Sequence, residues 1–100
     1  MSIEKKLFGD SELLVKPIGR LDVNSIAEFE EIINSEIDNI KYLTIDLSEV
    51  NYISSIGLRT IIAFHKKMCC SKGEMKVANV KPEIMEIFKT VGFDNFLSII

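Results

Sequence analysis

Val50-Asn51-Tyr52-Ile53-Ser54-Ser55-Ile56-Gly57-Leu58-Arg59 decides how this chain is read, because it carries two serines and a glycine across the junction from a strand and loop into a helix. On the downstream side Ile61, Ile62, Ala63, Phe64, Met68 and Cys69 make a helix apolar over much of its circumference, and Lys72-Gly73 ends it. Either Ser54 or Ser55 suits the N-cap, where a side-chain oxygen accepts from a free amide and contributes about 1 kcal/mol. Gly57, lacking a Cβ, allows the helix to approach a sheet closely.

Upstream, Tyr42 to Leu47 is a near-continuous β-prone run, of the kind found in a strand covered on both faces or central in a sheet. Before it, Ile26, Phe29, Ile32, Ile33 and Ile37 fall on one helical face, with Glu28, Glu30, Glu31 and Glu36 mostly on the other. Ser25 with Glu28 forms a possible capping box, and Asn24 is an equally good N-cap. The runs Ile3 to Phe8 and Glu12 to Ile18, joined by Gly9-Asp10-Ser11, read as an antiparallel hairpin. Pro17 has no amide donor, which suits an edge or strand terminus. Downstream of Gly73, Met75 to Val80 reads as a strand. Pro82 opens a helix with the stripe Ile84, Ile87, Phe88 and Val91, closed by Gly92. Phe93, Phe96 and Leu97 to Ile100 form an apolar tail expected to dock back on the body.

The predicted order is β-β-α-β-α-β-α, an α/β single domain spanning 1–100, with a mixed sheet of four to five strands packed with three to four helices. Right-handed β-α-β crossovers set the helices against the sheet and leave the loops at the strand C-termini open for function. One hundred residues, 47% hydrophobic and 27% charged, suffice for one core and leave no room for a second. The net charge of −3 and the lack of a basic block argue against a nucleic-acid partner. No stretch approaches a membrane span and the N-terminus lacks a leader pattern, so the expectation is a cytoplasmic protein with no direct membrane insertion.

The absences weigh against catalysis. His65 is the sole histidine, which removes a two-histidine metal site, and no phosphate-binding loop or nucleophile-elbow pattern occurs. His65 lies ten residues after Ser55, about 15 Å along a helix axis, too far to form a catalytic pair with it. Cys69 and Cys70 are neighbours that match no zinc or redox spacing and read as reduced thiols. The expectation is no enzyme activity, no cofactor and no metal.

The segment Tyr52-Ile53-Ser54-Ser55-Ile56-Gly57-Leu58-Arg59 resembles the signature loop of the STAS family of anti-sigma-factor antagonists, a pattern close to Asp-Ser-Ser/Thr-Gly-Leu. Gly19-Arg20-Leu21-Asp22 resembles the loop before that family's first helix, Ile45-Asp46-Leu47-Ser48 the end of its central strand, and Val91-Gly92-Phe93 the close of its last helix. The resemblance implies a STAS-like fold and a phosphorylatable serine at Ser55, with Ser54 the second candidate. It implies as partners an anti-sigma factor with serine-kinase activity, bound by the unmodified protein and released on phosphorylation, and a PP2C-type phosphatase that restores binding. The acidic residue before the serine is Ser54 in this chain, and the following Ser/Thr is Ile56. The partner surface is expected at Gly19, Arg20, Leu21, Asp22, Tyr52, Ile53, Ser54, Ser55, Ile56, Gly57, Leu58 and Arg59. Arg59, one turn beyond Ser55, either pairs with the phosphate, contacts the partner or faces solvent. Asp46 is either a structural acceptor for loop amides or a functional group, and Asp22 either complements the first helix or joins the surface. The alternative function is a non-phosphorylated STAS interaction module, such as a cytoplasmic subunit of a membrane transport complex.

Overall fold

The computed structural model describes residues 2–9, 11–95 and 97–100. Asp10 of the hairpin turn and Phe96 of the apolar tail lie outside the described residues. Two strands, β1 (Ser2–Phe8) and β2 (Glu12–Leu21), pair antiparallel and are followed by helix α1 (Ile26–Asn34) and a 3-10 turn, Ile37–Asn39. Strands β3 (Tyr42–Asp46) and β4 (Val50–Ile53) precede the long helix α2 (Ser55–Cys70). Then come β5 (Glu74–Ala78), helix α3 (Pro82–Val91), a second 3-10 turn at Phe93–Asn95, and β6 (Ser98–Ile99).

The expected mixed α/β order is present, with two strands more than the predicted pattern of four. Among the described residues the sheet has six strands rather than four to five, in the order β1-β2-β3-β5-β6 with β4 on β2. All pairings except β1 with β2 are parallel. The docking tail is real: β6 pairs with β5, and Leu97 before it is buried.

Each β-α-β connection steps in the same direction across this sheet, so crossovers of one hand stack α1, α2 and α3 on a single face. The burial pattern agrees. Leu13, Val15, Leu43, Ile45, Met75 and Val77 of the strands meet Phe29, Ile33, Ile61, Phe64, Met68, Ile84 and Phe88 of the helices in one core. Strand neighbours pointing the other way, such as Glu12, Tyr42, Glu74 and Lys76, are exposed. β3 is therefore central in the sheet but covered on one face only. Its run looked continuous because Tyr42 and Thr44 are β-formers on the open face.

Two backbone irregularities carry β2 from one partner to another. β3 pairs with β2 from Glu12 to Val15, and β4 takes over from Gly19 to Leu21, so Pro17 falls where neither strand needs its missing amide. Gly19, at φ 104°, sits at a register shift in the β2–β4 pairing, and its amide reaches the Glu49 carbonyl at 2.9 Å. Arg20 and Leu21, expected in a loop, are thus the last residues of a strand.

Candidate functional site

The C-terminal ends of β2 and β4 and the first turn of α2 converge on one edge of the sheet. Gly57 makes the approach possible. A Cβ there would lie 2.9 Å from the Leu21 carbonyl oxygen and 2.9 Å from Ile53 Cγ1, so any side chain would push the helix off the sheet. The Ser54 amide donates to that same Leu21 carbonyl at 2.9 Å, which ties the start of α2 to the end of β2.

This docking separates the two serines. Ser54 is the N-cap: its backbone is extended, its Oγ accepts from the Gly57 amide at 3.3 Å, and its carbonyl accepts from the Leu58 amide at 3.0 Å. Ser55 is the first helical residue and is exposed. No acidic residue occupies the first turn of α2, so the positive end of the helix is not internally compensated.

The β2–α1 corner closes beside it. Arg20 lies opposite Tyr52 across the β2–β4 pair, its guanidinium 4.2 Å from the ring centroid, and its Nε donates to Asp22 Oδ2 at 3.2 Å. Asp22 Oδ1 accepts from the Asn24 amide at 3.0 Å. Its partial desolvation acts to raise its pKa, but the hydrogen bonds from Asn24 and Arg20, with the Arg20 charge, outweigh this and hold the carboxyl below its ordinary value. The predicted capping box at Ser25 does not form. Ser25 is buried, its hydroxyl donates to the Arg20 carbonyl at 2.6 Å and accepts from the Asp22 amide at 3.1 Å, and it closes the corner instead of capping α1.

Asp46 resolves toward its structural reading. Oδ1 accepts from the Ser48 amide at 2.8 Å and Oδ2 from Asn79 Nδ2 at 3.1 Å, bracing the β3–β4 turn against the end of β5. Desolvation is the largest single influence and pushes its pKa up; Ser48, Asn79 and the Lys16 charge together outweigh it, leaving the carboxyl lowered.

The predicted surface residues are therefore contiguous but divided in role. Arg20, Tyr52, Ser55, Ile56 and Arg59 are exposed, whereas Leu21, Ile53, Gly57 and Leu58 are buried beneath them and fix the geometry. Val23, which the sequence reading passed over, is 71% exposed at the corner after β2, and with Tyr52 (39%) and Ile56 (38%) it gives this edge three exposed large apolar side chains. The available signal is a lone valine in the polar run Asp22-Val23-Asn24-Ser25. Asn79, expected within the strand from Met75 to Val80, lies beyond the end of β5 in the left-handed region at φ 55°.

Comparison with known families settles what kind of domain this is: the STAS domain family model matches residues 3–100. The chain belongs to the STAS domain family. Its fold superposes on three solved STAS-like structures. The anti-sigma factor antagonist SpoIIAA in its unphosphorylated form gives a TM-score of 0.86 at 12% identity, over 99% of this chain and 88% of that one. The Bacillus cell fate determinant SpoIIAA in its phosphorylated form gives 0.79 at 12% identity, over 99% and 91%. An anti-sigma factor antagonist from Mycobacterium paratuberculosis gives 0.84 at 24% identity, over 98% and 85%. At such identities these likenesses speak for the fold alone. In sequence, 51 residues are 35% identical to the anti-sigma factor antagonist BtrV of Bordetella bronchiseptica, a stretch covering 51% of this chain and 44% of that relative. Among the described residues no group of three or more His, Cys, Asp or Glu is placed to hold a metal, and no helix is long and apolar enough to cross a membrane.

Proposed function

We propose that this STAS domain is an anti-sigma-factor antagonist of the cytoplasm. It binds an anti-sigma factor with serine-kinase activity when unmodified and releases it when Ser55 is phosphorylated, and a PP2C-type phosphatase restores the binding form. Transcription is controlled through the exchange of partners, with no catalysis by the domain itself. The observation that carries this reading is the division between the serines: Ser54 is engaged as the cap of α2, while Ser55 stands exposed in the first turn of α2, which follows the strand that bears exposed Tyr52. An exposed hydroxyl beside an exposed Ile56 suits a surface that a protein partner covers and a kinase can reach.

The electrostatics support a switch that acts on the partner rather than on the fold. A phosphate brings about −1.5 to −2 charges, and a helix N-terminus accommodates an anion through its free amides and dipole. The phosphorylated domain keeps its structure. The same charge buried in an interface without a counter-ion carries a large desolvation cost, which ejects the partner. Arg59, one helical turn on, compensates part of the charge within the free domain.

Phosphopeptide mapping of the protein after incubation with ATP in native lysate tests this directly. The expected result is one phosphate on Ser55 and none on Ser54. A domain that holds its partner equally with and without ATP and acquires no phosphate is a constitutive interaction module, and the switch is then wrong.

A further inference from the structure

We propose that β1 is a self-association edge, at which two copies of this chain pair their first strands antiparallel, about a two-fold axis at Lys5, into one continuous sheet. Among the described residues β1 pairs with β2 alone and ends the strand order, and every residue from Glu4 to Phe8 is exposed. The outward amides and carbonyls of such an edge are a template for a further strand.

The occupant follows from the order of side chains in Ile3-Glu4-Lys5-Lys6-Leu7, which is symmetrical in chemistry about Lys5. The register with β2 sets Ile3, Lys5 and Leu7 opposite Pro17, Val15 and Leu13 on the helix-bearing face, and Glu4 and Lys6 opposite Lys16 and Leu14 on the open face. A two-fold axis perpendicular to the sheet keeps each face continuous, so side chains from the same face must meet. With the axis at Lys5, Glu4 and Lys6 meet Lys6 and Glu4 of the second copy on the open face, and Ile3 and Leu7 meet Leu7 and Ile3 on the other. An axis at Glu4 sets that carboxylate against itself and Lys5 against Ile3; an axis at Lys6 sets that ammonium against itself and Lys5 against Leu7. No other axis within β1 pairs both charge with opposite charge and apolar with apolar.

Charged side chains on an edge strand ordinarily discourage pairing. Here they reward a single register, and the like-charge contact is confined to Lys5 at the axis, where Glu36 Oε1 of the same chain lies 3.8 Å from the Lys5 Nζ. Leu7, 47% exposed in the single chain, gains an apolar neighbour. The second copy is thus favoured by complementarity of charge and of apolar surface at once. Self-association is measured on the chain alone, so it stands or falls apart from the proposed phosphorylation switch.

The test is sedimentation equilibrium of the full chain, as wild type, as Glu4→Lys, as Lys6→Glu and as an equal mixture of the two variants. Wild type is expected to pass from monomer to dimer between about 10 µM and about 1 mM, the range of a small interface. Each variant sets like charges opposite one another twice and is expected to weaken the dimer about tenfold. The mixture sets acidic against basic side chains at both positions and is expected to recover wild-type association. Both variants keep a net negative charge, so attraction between them reports the local pairs rather than the charge of the whole chain. Wild type that stays monomeric throughout this range, single variants that dimerise as well as wild type, or a mixture that associates no better than its components would each overturn the proposal. The substituted side chains are exposed, and a circular dichroism spectrum matching wild type confirms that each variant is folded.

Discussion

Ser54 and Ser55 carry the same hydroxyl on adjacent residues, and a half-turn of backbone gives them different work. The Ser54 oxygen is held by the Gly57 amide, so Ser54→Ala is expected to cost about 1 kcal/mol in urea unfolding, whereas Ser55→Ala, on an exposed first-turn residue, stays within about 0.5 kcal/mol of wild type. Gly57→Ala tests the close approach: the gain of a better helix former is outweighed by contact with the fixed Leu21 carbonyl, and the net loss is expected at about 1–3 kcal/mol. Sequence named Gly57 as the close-approach residue and left the two serines equivalent, because cap choice depends on where β4 ends and the helix turns. Asp46 adds a pH dependence with a definite sign. Its pKa is lowered on folding, so its contribution is complete above the ordinary carboxyl value of 3.8 and is lost as pH falls through the lowered value. Asp46→Asn is therefore expected to be less stable at neutral pH and to lose less stability on acidification, measured as urea midpoints at about pH 6 and about pH 3.

The helices and long strands were legible because their hydrophobic periods run for several turns; β4 and β6 were not. β4 is four residues with only its ends buried, and β6 is two residues, so neither has an alternation to read. Gly19-Arg20 has the composition of a turn, and only the pairing with β4 makes it a bulged strand. The close of α2 was placed correctly at Lys72-Gly73, but its geometry inverts the usual assignment. The Gly73 amide reaches the Met68 carbonyl at 2.7 Å and the Lys72 amide the Cys69 carbonyl at 3.1 Å, while Lys72, not glycine, takes the left-handed position at φ 64°. Gly73 is instead required by crowding, since a Cβ there would lie 2.6 Å from the Lys41 carbonyl oxygen. Lys72→Gly is expected to raise stability by up to about 1 kcal/mol through relief of the left-handed strain, read as a higher urea midpoint at unchanged slope.

Among the described residues, α1, α2 and α3 lie on one face of the sheet, and the proposed partner edge is where that layer meets the strand ends. Stability is correspondingly one-sided. Phe29→Ala, in the core and edge-on to Phe64, is expected to lose about 3–5 kcal/mol, while Phe8→Ala on the open face, where the ring is 46% exposed, changes stability by less than about 0.5 kcal/mol. The STAS fold was recognisable because its motifs occur in the expected order along the chain. The exposed apolar rim of Val23, Tyr52 and Ile56 needed the structure, since it is assembled from segments about thirty residues apart. The proposed switch at exposed Ser55 is the central claim. The most direct test is capture of the kinase partner from native lysate by wild type, Ser55→Ala and Ser55→Asp, each with and without ATP. The account predicts that Ser55→Ala retains the partner throughout, wild type releases it as phosphate appears on Ser55, and Ser55→Asp fails to hold it. Retention of the same partner by all three, indifferent to ATP, would contradict it.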